Sequence, residues 1–145
     1  MEYVCDAPGR KTWFRIETEA EAVRESEAMN HTVEKYFRQA QEHAAATYVR
    51  PRSSAFIEQD IGLKAHIRRA MPVFLTLRDA DGKALVTAML PPAARDNGSF
   101  RPIIVGFANS DPFVHHGDAI RTLGAHFGLV LDPTRCYPYR RNSPG

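Results

Sequence analysis

A chain of 145 residues, 43% hydrophobic and 25% charged, matches one ordinary soluble domain that can bury a core without disulfides or a structural metal. No apolar run approaches the ~20 residues of a membrane span, which excludes a spanning helix and any membrane partner through one. The net charge of +2 is too small to demand a polyanionic partner, yet it is unevenly spread: Glu17 to Glu42 holds seven acids and three bases, and Arg50 onward thirteen bases and eight acids.

The first residues, Met1-Glu2-Tyr3-Val4-Cys5-Asp6, form neither a basic leader nor an apolar stretch, so a cytoplasmic location is expected. Tyr3 to Asp6 and Thr12 to Glu17 read as strands of a hairpin around Ala7-Pro8-Gly9-Arg10, where proline and glycine suit the second and third positions of a type II turn. Thr18-Glu19-Ala20-Glu21 has the form of a capping box and opens a helix. On it Met29, Val33, Tyr36, Phe37, Ala40 and Ala44 recur at helical spacing, and Glu34 stands four residues before Arg38, a favourable pairing. Glu19 to Tyr48 reads either as one rod of roughly 45 Å or as two helices broken near Asn30-His31-Thr32, where Asn30 and Thr32 can act as caps. A domain of this size has a radius of gyration of only about 15 Å. An unbroken rod would overhang it and call for a homodimer through the 19–48 helix.

Pro51 closes this region, and Ser53 or Ser54 can cap a further helix ending near Ala70, with Phe56, Leu63 and Ile67 on one side and Gly62 delaying its start. Val73 to Arg78 and Ala84 to Leu90 are strands joined through Asp79-Ala80-Asp81-Gly82-Lys83. Both are apolar on nearly every residue, which predicts a central position or cover on both faces. Pro91 to Ser99 is a polar connector, and Ile103 to Ala108 a fifth strand, for which Pro102 at its start argues either an edge place or a position at the strand's first residue. The last helix lies between Ser110-Asp111-Pro112 and a capping Gly128, and prolines make the tail irregular. The expected fold class is α+β: an antiparallel sheet of about five strands with two or three helices packed on it, in the order ββααββ(β)α. A single domain would span residues 1–139, with a tail over 140–145.

No segment completes a phosphate-binding glycine loop, a zinc cysteine pairing, a nucleophile elbow or a His-Glu-x-x-His helix. The densest chemistry is Phe113-Val114-His115-His116-Gly117-Asp118, with its adjacent imidazoles. If Asp111 to Phe127 is helical, Phe113, His116, Gly117, Ile120, Leu123, Gly124 and Phe127 share one face, and Asp111, His115, Asp118, Thr122 and His126 the other. His115, His116, Asp118 and Asp111 are therefore the candidate ligand-binding residues. The plainer reading makes His115 and the two aspartates a solvated face, and His116 a core imidazole bonded to a carbonyl. A helix starting only at Asp118 would put both histidines in a loop. The imidazoles diverge, and His126 lies about 16 Å along the helix from His115, so no metal site and no cofactor are expected.

Cys5 and Cys136 lie near opposite ends and fit neither a disulfide framework nor a CxxC site, so reduced thiols are expected. A small hydrolase or transferase using His116 with Asp118 or Cys136 is one reading; a bystander thiol at Cys136 is the simpler one. A nucleic-acid footprint would use Arg50, Arg52, Lys64, Arg68 and Arg69, together with the tail residues Arg135, Tyr137, Tyr139, Arg140 and Arg141. The low net charge leaves weak electrostatic binding at most, and nucleic acid is not expected as a partner. The function expected is a binding module for a small molecule or a protein partner, without catalysis.

Overall fold

Alternation along two strands decides the architecture. In the computed structural model, which describes residues 1–50, 56–96 and 100–136 (the side chains of 56–59 excepted), the elements are β1 (Glu2–Ala7), β2 (Lys11–Arg15), α1 (Glu19–Met29), α2 (Val33–Ala46), α3 (Phe56–Ala70), β3 (Val73–Arg78), β4 (Ala84–Leu90), β5 (Ile103–Val105) and α4 (Phe113–Phe127). The strands form one antiparallel sheet in the order β1-β2-β3-β4-β5. Val73, Leu75 and Leu77 of β3 and Val86, Ala88 and Leu90 of β4 pack with Trp13, Ile104 and the α4 residues Ile120 and Leu123. Phe74 and Met89 join Ile16, Ala22, Val33, Phe37 and Ala44 in a second core beneath α1 and α2. The sheet is thus covered on both faces, which is why its central strands are apolar almost throughout. The fold is the expected α+β class, with four α-helices among the described residues.

The extra helix comes from the break at Asn30. α1 begins with the capping box: the Glu21 amide donates to the Thr18 hydroxyl at 3.2 Å, and the Thr18 amide to the Glu21 carboxylate at 3.1 Å. It ends where Asn30 takes a left-handed conformation, φ 52°, with the Asn30 amide returning to the Ser26 carbonyl. Thr32 precedes α2 without a side-chain cap; the Glu34 amide donates instead to the Ser26 hydroxyl at 3.2 Å, and that hydroxyl donates to the Glu34 carboxylate. The chain therefore turns back as two helices rather than one overhanging rod, and Met29, Val33, Phe37 and Ala44 are buried within the chain's own core.

Other expectations are corrected in detail. The first hairpin pairs Ala7 with Lys11, so its loop has three residues; Gly9 has the expected positive φ of 79°, but Arg10 also has one of 60°. Glu34 is taken by Ser26, and Arg38 pairs with Glu19 at 2.6 Å across the two helices. Gly62 lies inside α3 rather than delaying it, with the Tyr48 hydroxyl over its Cα, where a side chain would stand. β5 stops at Val105 because Ala108 (φ 53°) and Asn109 (φ 60°) curl the chain into a 3₁₀ turn, closed by the Gly106 amide donating to the Ser110 carbonyl at 2.8 Å. Pro51, Ser53, Ser54 and the tail from Tyr137 onward lie outside the described residues.

Candidate functional site

On the α1–α2 face of the sheet, the apolar pattern of the central strands is interrupted. Thr76 and Thr87 are direct partners across β3 and β4, and both are buried. Opposite them α1 presents Glu25, which is 0% exposed. Its Oε1 accepts from Arg78 Nη2 at 2.8 Å and its Oε2 from the Thr87 hydroxyl at 2.5 Å. Arg78 also donates from Nε to Thr76 Oγ1 at 3.0 Å and from Nη1 to the Gly82 carbonyl at 3.2 Å. A buried carboxylate survives in a core only with such partners, and both its oxygens are bonded.

The network continues to His31 in the α1–α2 turn, whose Nε2 lies 2.9 Å from Thr87 Oγ1. A carboxylate paired with a guanidinium only accepts, so the Thr87 proton points at Glu25 and the Thr87 oxygen accepts from His31. That places the imidazole hydrogen on Nε2 and leaves Nδ1 as an acceptor, reached by the Val33 amide at 3.4 Å, a long and weak bond. Burial holds the His31 imidazole below its usual pKa, opposed by the nearby Glu25 and Glu34 carboxylates. Burial thus favours the neutral ring, in agreement with this bonding pattern.

In front of this network opens a cleft of about 400 Å³ between the start of α2 and strands β4 and β5. Val33, Tyr36, Phe74, Met89, Ile103 and Val105 supply apolar wall, and His31, Thr32, Thr87 and Asn109 supply polar groups. Tyr36, apolar by its helical position but 50% exposed, stands at its edge. Left-handed non-glycine residues flank it in sequence: Asn109 lines the cleft with Ala108 just before it, and Asn30 precedes His31. For Ala108 that conformation costs of order 1 kcal/mol, strain that the surrounding packing sustains.

The residues singled out from the sequence lie elsewhere. His115 is exposed, and its ring centroid is 6.4 Å from that of His116. His116 is half-buried with Nδ1 3.3 Å from Lys11 Nζ; burial, then the charges of Lys11 and His115, push its pKa down. Its φ of −128° kinks α4 after the first turn, while its amide still donates to the Pro112 carbonyl at 2.9 Å. The expected helical phase holds beyond the kink, since Gly117, Ile120, Leu123 and Gly124 are buried. Asp118 is exposed and pairs with Arg121 at 2.6 Å; Asp111 accepts from the Phe113 amide at 2.9 Å. The structure brings the two histidines side by side and turns Asp118 to its own helix, and none of the four lines the cleft.

Cys136 is 2% exposed in the α4-side core, and desolvation pushes its thiol up to about 12, so it is a neutral packing group at physiological pH. Of the basic footprint, Lys64 pairs with Asp60, Arg68 with Glu2 and Glu17, and Arg135 with Asp132. Among the described residues no group of three His, Cys, Asp or Glu side chains is placed to hold a metal, and no helix is long and apolar enough to cross a membrane. Comparison with protein-family models, with curated proteins and with solved structures finds no match for this chain.

Proposed function

We propose that the protein is a binding module for a small molecule, held in the cleft between the α1–α2 turn and the β4–β5 edge. The observation that carries this reading is the junction of the two halves of the cleft: a mostly apolar wall ends on a hydrogen-bonded Glu25–Thr87–His31 chain. Small-molecule sites have this composition, apolar surface with a few fixed polar groups, and volumes from about 300 Å³ upward. The chain is non-catalytic in this reading, because Glu25 and Thr87 are engaged with one another behind the wall. Both cysteines are free thiols, which suits work in the reducing cytoplasm.

The test is a thermal-shift screen of uncharged aromatic compounds against the native protein and Ile103→Trp. Ile103 is a half-buried edge residue on the cleft wall, so the larger ring can fill the space without entering the α4-side core. Compounds should raise the melting temperature of the native protein and lose that effect in Ile103→Trp. Hits that stabilise both proteins equally would place the ligand elsewhere.

A further inference from the structure

The polar end of the cleft restricts what can bind there. Glu25 and Arg78 neutralise one another behind Thr87, and Arg78 is further committed to Thr76 and Gly82, so the network turns no free charge toward the cleft. What it offers is an acceptor: His31 Nδ1, which the Val33 amide occupies only at 3.4 Å. Among the described residues the side chains of Thr32 and Asn109 at the rim have no protein hydrogen bond. Two aromatic rings, Tyr36 and Phe74, line the apolar part.

The geometry points to an uncharged ligand with a flat aromatic body and a hydrogen-bond-donating end, such as a phenol or an indole, whose O–H or N–H meets His31 Nδ1. This rests on the cleft being the binding site, and it adds the ligand's chemical class. The aromatic body would replace water against Tyr36, Phe74 and Met89, and the donor would take over the lone pair that the Val33 amide holds weakly. A carboxylate in the same place would face the His31 lone pair and, one residue behind, the Glu25 carboxylate, whose partner Arg78 is already paired. A cation would lose its hydration while both Glu25 oxygens stay occupied.

Three probes of one size separate charge from donor: naphthalene, β-naphthol and β-naphthoate, titrated near neutral pH and followed by amide chemical shifts. β-Naphthol should bind at least about tenfold more tightly than β-naphthoate. It should also exceed naphthalene by about three- to tenfold, the worth of one hydrogen bond. His31→Phe, which keeps a ring and removes the acceptor, should abolish the advantage over naphthalene; if that variant does not fold, the native ratios decide alone. β-Naphthoate binding as tightly as β-naphthol, or naphthalene as tightly as β-naphthol, would overturn the ligand class and leave the cleft intact as a site. No shift from any of the three would overturn the binding reading itself, and the ligand class with it.

Discussion

Removal of the Glu25 carboxylate should be the most damaging polar substitution in the described chain. Glu25→Met keeps an unbranched side chain of similar length but leaves the Arg78 guanidinium without its counter-charge and the Thr87 hydroxyl without an acceptor. Breaking one partner of a buried pair costs about 3–5 kcal/mol. Arg78 keeps its bonds to Thr76 and Gly82, and its side chain is 19% exposed, which places the expected loss near the lower end, about 3 kcal/mol. Arg78→Met added to Glu25→Met removes the stranded charge, so the double variant should recover at least about 1 kcal/mol relative to Glu25→Met alone. Urea unfolding followed by Trp13, the single tryptophan and fully buried against α4, gives all the free energies of the cycle. A Glu25→Met variant within about 1 kcal/mol of the native protein, or a double variant no better than the single, would refute a carboxylate held by Arg78 in the core.

Acidification should weaken the fold through two histidines. The pKa values of His31, which faces Glu25, Glu34 and through Glu25 the Arg78 charge, and of His116, which faces Lys11 and His115, are both lowered from 6.5. The unfolded chain therefore takes up protons first, so the stability is complete above about pH 6.5 and falls as the pH drops through the folded values; the urea midpoint should decline as the pH falls below about 6.5, and His31→Gln with His116→Gln should flatten the decline. His115→Ala should stay within about 0.5 kcal/mol of the native stability in the same assay. Gly124→Ala should cost about 1–3 kcal/mol in urea melts, because its Cβ would stand 2.6 Å from the Leu129 carbonyl oxygen and 3.2 Å from Leu131 Cγ. Ellman's reagent should titrate the half-buried Cys5 in the native protein and reach Cys136 only on unfolding; native reaction of both thiols at similar rates would contradict the burial of Cys136.

Much of the fold was legible because its signals are local. The capping box at Thr18, the apolar runs around the Asp79 to Lys83 loop and the glycine after Phe127 each name an element boundary in a few residues. The break at Asn30 was visible only as an alternative, because contacts distant in sequence fix it: Ser26 with Glu34, and His31 with Thr87. The end of β5 was hidden, since Ala108 holds a left-handed conformation that no glycine announces. The cleft was not legible from the sequence for a related reason. Glu25 is one of seven acids in a helical stretch that reads as solvated, and what makes it different is Arg78, 53 positions along the chain. The available signal was Thr76 and Thr87, two polar residues inside otherwise apolar strands that the hairpin register places side by side. His115 and His116 drew attention as adjacent imidazoles; on a regular helix they would diverge, and it is the kink at His116 that leaves their rings 6.4 Å apart, away from the cleft.

The most direct test of the proposed binding site is a map of backbone amide shifts on titration with β-naphthol. The cleft predicts that the largest changes fall on His31 to Val33, on Thr87 to Met89, on Ile103 to Val105 and on Asn109, with the α4 residues His115 to Asp118 unmoved. Shifts centred on His115 to Asp118, with the β4–β5 edge silent, would contradict it.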